Sequence, residues 1–250
     1  FSGNLSNDSE QIVLVDHKRN PVDSVKYFDD KPWPIHADGG GSSLELRDPK
    51  SDNSVPESWS ESSNSDQSEW VHYSYTMTAQ VPTYTPTIRN FHELRLGLLD
   101  SGEVLIDDVS VIEDPGGANR ELMQNGTFDA GNANYWRRIG THKLSEVIDS
   151  EESPVLKIVA SARMNYLNNL IETNLKSNGS WAPVKPGTDY QISFRAKWLK
   201  GTPQLRFELY YNRLAKTVIL KQPDKHGTPG KENSTRVVNS GPTFQNVNHY

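Results

Sequence analysis

Apolar and polar residues alternate with a period of two along much of the chain. In "FHELRLGLLD", Phe91, Leu94, Leu96 and Leu98 fall near one face, with Glu93 and Arg95 on the other. "YQISFRAKWL" sets Tyr190, Ile192, Phe194, Ala196 and Trp198 against Gln191, Ser193, Arg195 and Lys197. "LRFELYYN" divides Leu205, Phe207, Leu209 and Tyr211 from Arg206, Glu208, Tyr210 and Asn212. Side chains alternate across a strand, so this pattern marks strands that give one face to a core. Further runs of the same kind are "QIVLVD", "VDSVKYF", "SSLELRD", "WVHYSYTMTA", "EVLIDDVSVI" and "VLKIVASA", bounded by Gly, Pro, Asn and Asp. The longest helical candidate, residues 164–175, contains four Asn and is a poor helix former. The predicted fold class is all-β, with strands spaced as in sandwiches. Linkers are expected at 60–68, 114–119 and 221–234.

Length and charge narrow the picture. A chain of 250 residues suffices for one large or two medium domains. The net charge of −6 is dispersed and no basic stripe occurs, so nucleic acid is not an expected partner. No apolar run is long enough to form a spanning helix, and membrane insertion is not expected. The absence of cysteine removes disulfides, thiol nucleophiles and thiolate metal sites. The opening Phe-Ser-Gly-Asn carries no signal peptide and reads as a segment of a longer polypeptide. No P-loop, G-x-S-x-G or G-x-G-x-x-G element is present, and the histidines lack metal-binding spacing. Catalysis is therefore not expected.

Several phrases resemble known families. "LSNDSEQIVLVD", "NPVDSVKYFDDKPWP", "ADGGGSSLELRDPKSDNSVPESW" and the distant "GTPGKENS" resemble the lamin-tail domain, an immunoglobulin-like sandwich frequent in large secreted bacterial proteins. The resemblance implies that residues 1–60 are the C-terminal part of such a domain, completed by 226–234. Residues 68–220 would then be inserted into its last loop, and 235–250 would lead to a following module. Within the insert, "NGTFDAGNANYW", "GTDYQISFRAKW" and "VLIDDVSVIED" resemble the opening, middle and closing phrases of jelly-roll carbohydrate-binding modules of the galactose-binding-like type. The closing phrase comes first here. This order implies a circularly permuted jelly roll whose former ends are bridged by "EDPGGANRE", a change tolerated where termini meet at the surface. Residues 70–113 and 122–220 are thus expected to share one sandwich, beside a partial immunoglobulin-like one.

The resemblance also implies a structural calcium near Asp107, Asp108 and Asp129, with Asp129 standing where the family carries a longer Glu. The competing reading is a strand-end cap or a pair with a nearby Arg. For ligand binding, the polar strand faces combine guanidinium, carboxylate, amide and phenol groups. The candidates are Arg195, Lys197, Arg206, Glu208, Tyr210 and Asn212, joined by His142 from "WRRIGTHKLSEV" and Glu172 from "NYLNNLIET". A few directed polar groups among aromatics is the general form of a sugar site; an antiparallel sheet also presents such a face simply as solvated surface. Trp136 is expected in the core and Asn125 in a tight turn. The expected function is non-catalytic: glycan or polysaccharide binding, or adhesion, within a secreted or cell-surface protein. The alternative is a structural spacer or a self-associating subunit of a surface fibre without sugar affinity.

Overall fold

The computed structural model describes residues 5–6, 8–38, 42–62, 67–81, 90–166, 169–210 and 213–223. Asn212 and the segments 226–234 and 235–250 lie outside the described residues. The chain is all-β. Its N-terminal part contains an antiparallel hairpin of β1 (Ser9–Val15) and β2 (Pro21–Phe28), and a short pair formed by β3 (Leu44–Leu46) and β4 (Trp59–Glu61). The hairpin turn is organised by Asp16, whose Oδ1 accepts the backbone N–H groups of Lys18 and Asn20, each at 2.8 Å. Trp33 is buried between Phe28 and Trp59, with ring centroids 6.4 and 5.9 Å away. Val13, Leu14, Val15, Val22 and Phe28 of the hairpin are exposed.

The remaining strands build a two-sheet sandwich. They are β5 (Val71–Thr78), β6 (Glu93–Leu98), β7 (Gly102–Glu113), β8 (Arg120–Glu121), β9 (Trp136–Arg138), β10 (Glu146–Ile148), β11 (Val155–Ala160), β12 (Ile171–Asn174), the small hairpin β13 (Lys176–Ser177) and β14 (Ser180–Trp181), then β15 (Asp189–Gly201), β16 (Gln204–Leu209) and β17 (Leu214–Ile219). One sheet runs β10-β11-β7-β15-β5, with β8 added to β7; the other runs β17-β16-β6-β12-β9. Strands from 71–113 and from 120–219 therefore interleave in both sheets. Phe194 of one sheet meets Phe207 of the other edge-on at 5.8 Å. Around this contact Leu94, Leu96, Leu98, Val104, Ile106, Ile192 and Trp198 form one buried core.

Period-two alternation explains these faces. Leu94, Leu96 and Leu98 point into the core, as do Tyr190, Ile192, Phe194, Ala196 and Trp198. The Asn-rich stretch 164–175 forms strand β12 at its end, and its described residues include no helix. Asp108 has φ +52°, and across it the register moves from Ser193 opposite Ser110 to Arg195 opposite Asp107. One additional residue on β7 thus forms a β-bulge. No helix among the described residues is long and apolar enough to cross a membrane.

Candidate functional site

The five-stranded sheet turns Arg137 of β9, Glu172 of β12, Arg95 of β6, and Glu208 and Arg206 of β16 away from the core, because their neighbours in sequence point inward. Cross-strand register places Glu172 opposite both Arg95 and Arg137, and Glu208 opposite Arg95. The result is a row of alternating charge across four strands. Arg137 Nε donates to Glu172 Oε1 at 2.9 Å, Arg95 Nε lies 3.5 Å from Glu172 Oε2, and Arg95 Nη1 donates to Glu208 Oε1 at 3.0 Å. Arg206 donates to Glu208 Oε2 through Nε at 3.0 Å, with Nη2 at 2.9 Å. Tyr210 lays its ring over the Arg95 guanidinium at 4.9 Å and meets Phe91 edge-on at 4.9 Å.

Arg95 and Glu208 are each 2% exposed and Arg206 is fully enclosed. The face is therefore not the solvated surface that alternation alone suggests. Burial works against the Arg206 charge and pushes its pKa down, with the Glu208 carboxylate opposing that shift. Arg206 and Glu208 serve each other and cannot be reached by a sugar; Glu172 retains partial access at the β9 end of the row.

That end opens into a cleft of about 200 Å³ lined by Gln124, Tyr135, Trp136, Arg137, Asn174, Lys176 and Trp181. Two local structures shape it. Asn178 and Gly179 have φ +49° and +80° between β13 and β14, the left-handed pair a two-residue hairpin requires. This turn pairs Lys176 directly with Trp181. On the other wall, Asn125 (φ +52°) donates through Nδ2 to the carbonyls of Asn132 and Asn134, and its own carbonyl accepts Trp136 Nε1 at 3.1 Å. Trp136 is thereby held in the core while Tyr135, at φ +74°, faces outward. A bulky residue in that region is strained, a state that persists only where surroundings enforce it. The enforcing contact here is Thr173 Oγ1 donating to the Tyr135 carbonyl at 2.9 Å.

Tyr135 and Trp181 are 61% and 53% exposed. The Lys176 ammonium lies 4.6 Å from the Trp181 ring and 5.7 Å from that of Tyr135, and the His92 ring sits 4.6 Å from Trp181. No family model, curated protein or solved structure matches the chain.

The other expected residues lie elsewhere. Arg195 and Lys197 are on β15, in the opposite sheet. Arg195 pairs with Asp107 at 2.8 Å, Asp108 at 3.2 Å and Glu152 at 2.8 Å, and stacks on Trp70 at 4.8 Å. Those hydrogen bonds and charges raise its pKa further above the ordinary guanidinium value. Asp107 and Asp108 thus hold an arginine, the competing reading of that cluster, while Asp129 accepts from Thr127 Oγ1 at 2.7 Å. Among the described residues no set of three or more His, Asp or Glu side chains gathers as a metal cage. The three aspartates do not fit calcium in this arrangement.

His142 is fully buried against Gly97, and its Nε2 accepts the backbone N–H of Leu98 at 3.0 Å. Burial lowers its pKa to about 4. The ring is neutral, with its proton on Nδ1, and forms part of the packing. Of the expected ligand residues that the structure describes, Glu172 comes nearest to the cleft, held to it through the lining residue Arg137. Tyr135, Lys176 and Trp181 escape the alternation pattern because it marks long strands, whereas these residues sit in a turn and a six-residue hairpin.

Proposed function

We propose that the sandwich is a non-catalytic glycan-binding module of a secreted or cell-surface polypeptide, and that the Tyr135–Trp181 cleft is its binding site. The observation that carries this reading is the pair of exposed aromatic rings on fixed supports, bordered by Gln124, Asn174 and Arg137. Pyranose rings present C–H faces that pack on aromatic surfaces, while amides and guanidinium groups order the hydroxyls. Backbone strain at Tyr135 supports the reading, since such strain is concentrated at functional positions. Neighbouring Glu172 supplies orientation by fixing Arg137, and no carboxylate is among the described residues that line the cleft. The test is binding to a polysaccharide panel by the whole chain. Trp181→Ala and Tyr135→Ala should each weaken retention at least about tenfold, the size expected for a central aromatic contact. Retention unchanged in both variants refutes the site.

A second reading has its own support in the exposed apolar side chains of β1 and β2, beside a groove of about 510 Å³ lined by Ile12, Val25, Tyr27, Phe28, Leu44 and Trp59. A two-stranded hairpin is marginal alone, and such a surface suits protein contact. Self-association then follows, independent of sugar. Sedimentation that shows a monomer at every concentration removes this reading.

A further inference from the structure

Which glycans suit the cleft follows from a count of its hydrogen-bonding atoms, an inference that rests on the glycan-binding reading above. The acceptors are almost all engaged. Glu172 Oε1 takes Arg137 and Oε2 faces Arg95. Asn174 Oδ1 accepts Arg137 Nη2 at 3.0 Å. Among the described side chains lining the cleft, only the Gln124 side-chain oxygen, whose nitrogen donates to the Met123 carbonyl at 2.9 Å, and the exposed Tyr135 hydroxyl are left to accept.

The donors are in the opposite condition. Lys176 makes no ion pair or side-chain hydrogen bond among the described residues and rests only on the rings of Trp181 and Tyr135. Arg137 uses Nε and Nη2, leaving Nη1 without a partner among the described residues. The Asn174 amide nitrogen is likewise unengaged. A lysine ammonium offers three N–H donors and no acceptor, and guanidinium offers none either. A neutral sugar hydroxyl group must donate as well as accept, and this cleft has little to receive its protons. A carboxylate only accepts.

We propose that the cleft selects acidic saccharides, specifically polymers of uronic acid, by seating a carboxylate between Lys176 Nζ and the free edge of Arg137 while the sugar ring packs on the aromatic walls. Lys176 leaves the Trp181 ring when the ligand enters, exchanging a ring contact for a charge-assisted hydrogen bond. Glu93, the carboxylate register-paired with Asn174, is turned to the backbone N–H of His92 at 2.8 Å and does not line the cleft. Local donor excess thus opposes the chain's net charge of −6, so attraction is short-ranged and confined to the cleft.

The experiment compares retention of the whole chain by polygalacturonate, by the same polymer after chemical reduction of its carboxyl groups, and by dextran sulfate. The expected result is binding to polygalacturonate at least about tenfold tighter than to the reduced polymer. Raising NaCl from about 20 to about 300 mM should weaken it several-fold. Lys176→Gln should remove the preference and Lys176→Arg should keep it. Equal retention by the reduced polymer overturns the acid selectivity while leaving glycan binding intact. Equal retention by dextran sulfate that survives Trp181→Ala indicates plain polyelectrolyte attraction and also overturns it. Failure to bind any polysaccharide of a broad panel removes the glycan reading itself. The ligand-reduction arm needs no variant, so a folding defect in Lys176→Gln cannot rescue the proposal.

Discussion

Replacing Glu208 by Gln tests the charged row most directly. Glu208 is 2% exposed and accepts from both Arg95 and Arg206, which are themselves enclosed. The amide keeps the shape and removes the charge, so two buried guanidinium groups lose a carboxylate at once. Removing one partner of a buried ion pair costs about 3–5 kcal/mol, since the remaining charge stays desolvated. Arg95 keeps Glu172 at 3.5 Å and the Tyr210 ring, which places the expected loss near the lower end, about 3 kcal/mol. For a sandwich of this size that corresponds to roughly 6–12 °C in Tm. Urea unfolding followed by tryptophan fluorescence reads the difference as a lower midpoint at unchanged slope. The Arg206→Met, Glu208→Leu double variant should lose less than Glu208→Gln alone, because it removes one charge of each sign. A Glu208→Gln cost below about 1 kcal/mol, the range of exposed pairs, would show that water reaches the row and would refute its enclosure.

Three further outcomes follow from the same geometry. His142 has a folded pKa of about 4 against 6.5 for the free ring, so the unfolded chain takes up the proton first on acidification. Its contribution is intact above pH 6.5 and is lost as pH falls toward 4, by roughly 3 kcal/mol, and a His142→Gln variant should show a flatter stability profile over that window. Gly97→Ala would bring a Cβ to 2.7 Å from both His142 Nε2 and Leu170 Cδ2. Both neighbours are fully buried, so thermal melting should show a loss of about 1–3 kcal/mol. Because Arg195 occupies the Asp107–Asp108 pair, EDTA should leave Tm unchanged; a drop reversed by added calcium would reinstate a metal there.

The long strands were legible because they obey one rule. Every run with clear alternation, from "QIVLVD" to "QLRFEL", contains a strand; within the sandwich the apolar sets of β6, β7, β11, β15 and β16 lie mainly in the core, while that of β5 is half-buried against it. What alternation could not convey is whether a polar face meets water. Arg206 and Glu208 read as surface residues because a charged side chain at a polar position looks the same whether solvated or paired. Arg206 meets Glu208 two residues along its own strand, but the third member of the row arrives only because β16 lies beside β6, which brings Arg95 to Glu208 from 113 residues away. The β-bulge at Asp108 was invisible for a related reason. Asp tolerates a left-handed backbone but does not announce it, so the sequence left open both the calcium that the resemblance implies and the arginine pair in which Asp107 and Asp108 converge on Arg195.

The cleft illustrates the opposite case, a signal that was present in "KSNGSW" and went unused. Asn-Gly between two short runs is the strongest local hairpin signature available in a sequence. It fixes the register, and the register alone sets Lys176 across from Trp181. A residue pair chosen by a two-residue turn is insensitive to the remainder of the sandwich, which is why an exposed tryptophan can be held there without joining the core. The same logic separates Tyr135 from Trp136: the Asn125 turn anchors the indole inward and forces the preceding phenol out. Sandwich and cleft are consequently separable in mechanism. Core strands supply rigidity, while two small turns choose which rings and cations meet the solvent, so changes confined to "NGTFDAGNANYW" or "KSNGSW" should alter binding while the sandwich melts as before.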